Sequence, residues 1–343
     1  MKTKLLLITP PFTQLNTPYP ATAYIKGFLN TINIESVQAD LGIEVILKLF
    51  SKNGLQDLFD NAKIDSSTSD NSKRILALQD EYIKTIDVVI AFLQGKNPTL
   101  ALQICQEDFL PEASRFAQLE ELDWAFGTMG TQDRAKHLAT LYLEDISDFI
   151  VECIEGNFGF SRYAERLGRS ANSFDELYDA LQQETTFIDA ILISILKERI
   201  ESIQPTLFLI SVPFPGNLYA AFRCAQWVKK NHPNIKISMG GGFPNTELRS
   251  LSDARVFEFF DFITLDDGET PVELLCDYVQ SSEVELTLKR TFVLENGKVV
   301  YKNNASKPDY KQSQVGTPDY SDLLLDKYIS VIEIVNPMHR MWS

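Results

Sequence analysis

Two short stretches of this chain combine residue types and spacing that could serve a ligand: the glycine triplet Gly240-Gly241-Gly242 and the acidic turn Asp266-Asp267-Gly268-Glu269. Three missing β-carbons in succession expose backbone N–H groups and let a flat or bulky molecule lie against the chain, with Phe243 directly following. A tight turn is the competing reading. The order is not Gly-x-Gly-x-x-Gly and it follows a late strand, so it is not the dinucleotide fingerprint. After the acidic turn, Thr270 reads as a helix cap, Pro271 as the first helical residue and Glu273 as the partner completing a capping box. Asp267 and Glu269 are not needed for that cap and are expected at the loop edge, although Asp and Gly are also ordinary turn formers. Pro10-Pro11-Phe12 and Pro213-Phe214-Pro215 join stiff backbone to an aromatic ring, which suits a rigid apolar wall at a pocket mouth or simple loop packing.

Recognisable catalytic machinery is absent from the sequence. There is no Ser/His/Asp, His-Glu-x-x-His or Gly-x-x-x-x-Gly-Lys-Ser/Thr arrangement. The histidines His137, His232 and His339 have no metal-ligand spacing. Cys105, Cys153, Cys224 and Cys276 lie dozens of residues apart, which fits reduced thiols better than a disulfide framework. No catalytic or metal-binding residue is assigned.

The elements that must position the two loops follow from hydrophobic patterning. Apolar runs at Lys4–Thr9, Thr206–Val212, Lys236–Met239 and Phe262–Leu265 predict strands buried on both faces, as in a parallel sheet covered by helices, and Ser36–Leu41 reads as a further strand completing a βαβ opening. Helices are predicted at 21–30, 218–231 and 271–280. From Gly42 to Gln204 the spacing is helical and no strand is predicted; residues 65–72 are too polar to pack and read as a loop. Thr291–Leu294 and Lys298–Tyr301 flank Glu295-Asn296-Gly297, a strong hairpin signal. Beyond Tyr301 the chain reads as a linker, with Pro308, Pro318 and Pro337 preventing a long helix. The expected fold is therefore α/β: a Rossmann-like, doubly wound, mostly parallel sheet with a large all-helical insertion. Residues 1–50 plus 203–285 form the sheet domain, 51–202 the insertion, and 286–343 a hairpin and linker. In such sheets ligands sit outside the strands' carboxyl ends, where these loops fall.

With 343 residues the chain can bury a large core. Its formal net charge of -15 repels nucleic acid on average. No run approaches the roughly 18 apolar residues of a membrane span, and the start is too short in apolar residues for a signal peptide, so a cytoplasmic protein is expected.

Pro10-Pro11-Phe12 with Tyr19–Leu29, Val37–Phe50, Leu207–Asn245, Phe260–Val279 and Thr317–Tyr328 together resemble the N-terminal cobalamin-binding module of radical S-adenosylmethionine enzymes. The resemblance covers both ends of the chain. It implies a corrin ring over the carboxyl edge of the sheet and a nucleotide tail reaching into the fold. It assigns Pro10, Pro11, Phe12 and Pro20 to the opening proline loop, and Ser211, Val212, Pro213 and Asn217 to the loop after the third strand. Gly240, Gly241, Gly242 and Phe243 approach the cofactor's tail, and Gly268 and Glu269 match the end of the family's Gly-Glu-Gly-Glu segment. Asp266 and Asp267 depart from its first half.

The Asp-x-His-x-x-Gly motif that places a histidine on cobalt is absent, so cobalamin is expected without a protein His ligand. Cys-x-x-x-Cys-x-x-Cys is absent too, so the four-iron four-sulfur cluster and S-adenosylmethionine belong to a radical SAM domain expected to follow Thr317-Pro318-Asp319-Tyr320. That domain is the expected partner, and radical chemistry such as methyl transfer the expected activity of the whole. A module that has lost cobalamin and serves as a recognition or scaffold domain is the alternative; a nucleotide-binding oxidoreductase is a third, disfavoured by the missing early glycine fingerprint.

Overall fold

A computed structural model describes residues 3–106, 108–121, 130–160, 163–169, 174–280 and 287–332. Pro337 and His339 lie outside the described residues. The chain divides into two compact units: Met1–Gln14, Pro18–Val45 and Ser161–Leu325 in one, Leu15–Thr17, Ile46–Phe160 and Asp326–Ser343 in the other.

The first unit is an α/β fold. Its sheet contains β1 (Lys4–Thr9), β2 (Glu35–Asp40), β3 (Leu207–Ser211), β4 (Lys236–Gly240), β5 (Phe262–Thr264), β6 (Thr291–Glu295) and β7 (Lys298–Lys302). Their spatial order is β2-β1-β3-β4-β5-β6-β7. The first five are parallel, and β6 and β7 add antiparallel strands beyond β5. The order reverses between β1 and β3, the position where doubly wound sheets open a crevice at their carboxyl edge.

Helices cover both faces: α1 (Ala21–Thr31), α2 (Asp175–Gln182), α3 (Phe187–Ile203), α4 (Leu218–Asn231), α5 (Gly242–Glu247) and α6 (Glu269–Gln280). Because side chains alternate along a strand, Leu6, Ile8, Phe208, Ile210, Ile237, Met239 and Ile263 form one apolar face, each at most 1% exposed. On the other face Leu5, Leu7, Leu207, Leu209, Phe262 and Val293 pack with Phe28 and Leu29 of α1 and Val272 and Leu275 of α6. Burying each such side chain stabilises the fold by about 1.5–3 kcal/mol. The hairpin turns through Asn296 and Gly297, both at positive φ (50° and 73°), as a two-residue turn matching strand twist requires. It extends the edge of the sheet, with β6 pairing to β5.

Three local expectations change. Residues 161–203, expected in the insertion, belong to the sheet unit, because α3 buries Ile188, Leu192, Leu196 and Ile200 against α4 and β1. The helix after the acidic turn starts at Glu269, with the Val272 N–H donating to the Gly268 carbonyl, so Thr270 lies inside the first turn and does not cap it. Its hydroxyl donates to the Pro308 carbonyl, and Glu273 pairs with Lys307 and Tyr310. The capping box instead starts α3, where Thr186 Oγ1 accepts the Asp189 N–H (3.0 Å) and Asp189 Oδ2 accepts the Thr186 N–H (3.2 Å). Finally, residues 316–322 lie along α1 instead of running free as a linker.

Among its described residues the second unit contains helices joined by turns and loops, and no strand. Its helices span Lys52–Asp60, Asp70–Ala77, Gln79–Leu93, Ala101–Ile104 and Gly130–Cys153. Ser69 caps the second of these through its hydroxyl, so the polar run ends in a helix start at Asp70. Phe59 meets Phe149 at 5.2 Å, and Tyr82 stacks on Tyr142 at 5.1 Å. Among the described residues, no helix is long and apolar enough to cross a membrane.

Candidate functional site

The carboxyl edge of the sheet carries a cleft of about 330 Å3, within the size range of small-molecule sites. Two rows of side chains on one sheet face make its floor. The strand register aligns Leu7 with Leu209, Leu209 with Ser238 and Ser238 with Phe262. Within this apolar row Ser238 is a notch. One step nearer the edge Ser211 aligns with Gly240, and a β-carbon on Gly240 would meet Thr264 Oγ1 at 2.9 Å. Small side chains on three adjacent strands thus keep the cleft open above a floor that larger residues would fill.

Its walls are the starts of two helices. Pro20, Ala21, Thr22, Tyr24 and Ile25 line one side, and Asp266, Asp267, Gly268, Glu269 and Val272 the other. The helices approach closely at Gly268, where a β-carbon would stand 3.0 Å from Ile25 Cδ1. The first turn of α1 has neither an acidic residue nor a side-chain cap, which leaves backbone donors at the cleft. The first turn of α6 carries Glu269. One wall therefore offers donors and the other carboxylate acceptors; no Lys, Arg or His is among the described lining residues.

The acidic loop is pinned from behind. Asp266 adopts a left-handed conformation (φ 60°), its N–H donates to Asn245 Oδ1 at 2.6 Å, and its carboxylate pairs with Arg249. Arg290 Nη2 donates to the Asp267 carbonyl at 2.9 Å while the same guanidinium pairs with Asp309. At the mouth Tyr19 packs edge-on against Phe214 at 5.6 Å, and Tyr24 and Phe214 are each about half exposed.

Of the residues assigned from the sequence, Pro20, Ser211, Gly240, Gly241, Gly268 and Glu269 line this cleft. Pro10, Pro11, Phe12, Val212, Pro213, Asn217, Gly242 and Phe243 do not. All but the half-buried Gly242 are buried, and together they build the edge from within. Asn217 Nδ2 donates to the carbonyls of Pro10 (2.9 Å) and Phe12 (2.8 Å), tying the two proline corners together. Phe12 meets Tyr163 edge-on at 5.9 Å. The Val212 N–H donates to the Gly240 carbonyl, and the Val212 carbonyl accepts the Phe243 N–H.

The glycine triplet has a different use from the one expected. Gly241 sits at φ 109°, and a β-carbon there would meet the Val212 backbone at 2.6–2.9 Å; one on Gly242 would meet the Pro213 carbonyl oxygen at 2.8 Å. The bare backbone of Gly241 and Gly242 is thus pressed against the neighbouring loop of the protein itself. Phe243 faces a second hollow, with Phe174, Phe222 and Leu218.

Sequence reading missed Leu7, Tyr19, Tyr24, Leu209, Ser238 and Thr264. Ser238 had a usable signal, since a lone serine in an apolar strand, two residues before a glycine, falls on the same face as that glycine. Among the described residues no group of three or more His, Cys, Asp or Glu side chains could hold a metal ion. All four cysteines are free thiols, and burial pushes Cys276 up to about 12, which keeps it protonated. No family model and no curated protein matches the chain.

Proposed function

We propose that the cleft holds the nucleotide tail of a cobalamin, with the corrin outside it over the carboxyl edge, and that the sheet unit is the corrinoid-binding module of a radical SAM enzyme. The observation that carries this reading is the small-residue floor, Ser211, Ser238, Gly240 and Thr264, set between the starts of α1 and α6 beside the β1/β3 reversal. A slot of about 330 Å3 suits one heterocycle and is too small for a whole corrinoid. The chemistry of the walls also fits. N–H groups at the start of α1 can meet the tail's single phosphodiester and the carboxylates of Asp267 and Glu269 can accept from its ribose hydroxyl, whereas a cleft lined by carboxylates without a cation disfavours a dinucleotide's paired phosphates.

In this reading Pro20, Ser211, Gly240, Gly241, Gly268 and Glu269 touch the ligand, with Ser238 and Thr264 beneath it. Pro10, Phe12, Asn217, Val212 and Gly242 hold the edge in shape. The cobalamin is held without a protein histidine, and when bound it supplies a cobalt centre able to carry a methyl group. A radical SAM domain with its own four-iron four-sulfur cluster and S-adenosylmethionine is the partner implied, and the cytoplasm the compartment.

The test is to incubate the purified protein with hydroxocobalamin, desalt it, and record the visible spectrum. Retained corrin absorbance at about one equivalent is expected. Colourless protein overturns the reading and favours the scaffold alternative, which has its own support: Gly241 and Gly242 are required by the loop they touch whether or not a ligand is present. Retention of a flavin or nicotinamide instead would point to a nucleotide-dependent oxidoreductase.

A further inference from the structure

We propose that residues 316–322 act as a strap that fixes the cleft-lining face of α1 from behind, so that attachment of the strap and occupancy of the cleft are coupled. This rests on the geometry of the cleft and not on the identity of its ligand.

The helix is used on two opposite sides. Ala21, Tyr24 and Ile25 line the cleft. Ala23, Lys26, Gly27 and Asn30 receive the strap. Each set follows the three-and-four spacing of a single helix face, and the two are offset by two residues, about 200° around the axis.

Contact with the strap depends on two glycines. A β-carbon on Gly27 would overlap the Thr317 carbonyl oxygen, so only glycine admits the strap's backbone against the helix. Gly316 turns the chain at φ 76°, and a β-carbon there would stand 2.6 Å from Thr31 Cγ2. Polar contacts then fasten it. The Asp319 N–H donates to the Ala23 carbonyl at 3.0 Å, and Asn30 Nδ2 donates to Asp319 Oδ2 at 2.8 Å. Lys26, whose side chain is only 7% exposed, pairs with Asp322 and donates to Ser321 Oγ at 3.3 Å. A charge buried to that degree needs its partner, so the strap is part of what keeps Lys26 and its helix in place.

The strap also grips the sheet. β2 is the edge strand, and its Gln38 N–H donates to Asp322 Oδ2 at 3.1 Å while Gln38 Nε2 donates to the Asp319 carbonyl at 2.5 Å. One carboxylate, Asp322, therefore bridges α1 and the sheet edge. A rigid helix held on one face transmits that constraint to the other, and whatever binds the cleft in this geometry binds better when the strap is attached.

The experiment compares the parent chain with Gly27→Ala, Lys26→Met and Lys26→Arg by amide hydrogen exchange without ligand. Gly27→Ala and Lys26→Met are expected to speed exchange in residues 317–323 and, with it, in residues 24–28, by about fivefold or more, while β3 and β4 exchange at the parent rate. Lys26→Arg is expected to restore the parent pattern. Strap release with unchanged exchange in α1 overturns the proposal. Should Gly27→Ala fail to fold, Lys26→Met decides the matter alone. In a second arm hydroxocobalamin is the probe, and it is expected to slow exchange of the strap, which it does not touch. If the parent retains no hydroxocobalamin, the cobalamin reading fails, and the ligand-free exchange still decides the strap.

Discussion

Ser238 is the side chain on which the cleft's depth depends. It stands between Leu209 and Phe262 in a cross-strand row and is 2% exposed, so a leucine there continues an apolar row and fills the slot. Ser238→Leu is expected to weaken hydroxocobalamin retention at least tenfold, equivalent to about 1.4 kcal/mol, with the melting temperature within about 4 °C of the parent. Parent-level retention in an equilibrium desalting assay would show that the ligand does not use this floor. A second residue matters for stability alone. Burial raises the Asp145 carboxyl to about 6, against the lowering effect of the Arg115 and Ala113 N–H groups that it accepts. The folded state therefore holds this proton more tightly than the unfolded chain does. The stability it contributes is fully present below the unfolded value of 3.8 and is lost as pH rises through about 6, by up to about 3 kcal/mol. Asp145→Asn should flatten that part of a urea-midpoint against pH curve; an unchanged slope would assign it to other groups.

Helix α3 shows how an element can be read correctly and still be given to the wrong body. Its apolar spacing at Ile188, Leu192, Leu196 and Ile200 was visible, but spacing says only that a face is buried and not against what. What ties it to the sheet unit is a polar network between helices: Asp189 accepts from Arg223 Nε (2.8 Å) and the Tyr219 hydroxyl (2.9 Å), and Arg223 also donates to the carbonyls of Leu181, Ala180 and Gln183 at the end of α2. Both charged side chains are at most 2% exposed. Arg223→Met leaves the Asp189 carboxylate buried without its cation and is expected to cost about 3–5 kcal/mol, read as a lower urea midpoint for the sheet unit. A loss under 1 kcal/mol would mean that the tyrosine hydroxyls suffice. The capping box obeyed the same limit: Thr186 and Asp189 fit the pattern as well as Thr270 and Glu273 did, and the latter were drawn off by Pro308, Lys307 and Tyr310, residues more than thirty positions away.

For the molecule as a whole, two compact units imply that a ligand in the cleft acts on one of them. Saturating hydroxocobalamin is expected to slow exchange in α1, β3, β4 and α6, with residues 46–106 and 130–160 exchanging at the unliganded rate; protection spread evenly through both sets would refute a site confined to the sheet unit. The seven strands, the parallel core and the hairpin were legible along the chain, since alternation, continuous apolar runs and Asn-Gly turns are short-range patterns that physical chemistry reads locally. The residues that share a cleft were not legible in that way. Gly241 and Gly242 looked like open backbone, yet a neighbouring loop occupies the space; Ser238 was one residue of a strand until register set it between Leu209 and Phe262 at the floor. Register, side of the sheet and approach of remote backbone are fixed by contacts between residues far apart in sequence, and those exist only once the chain has folded.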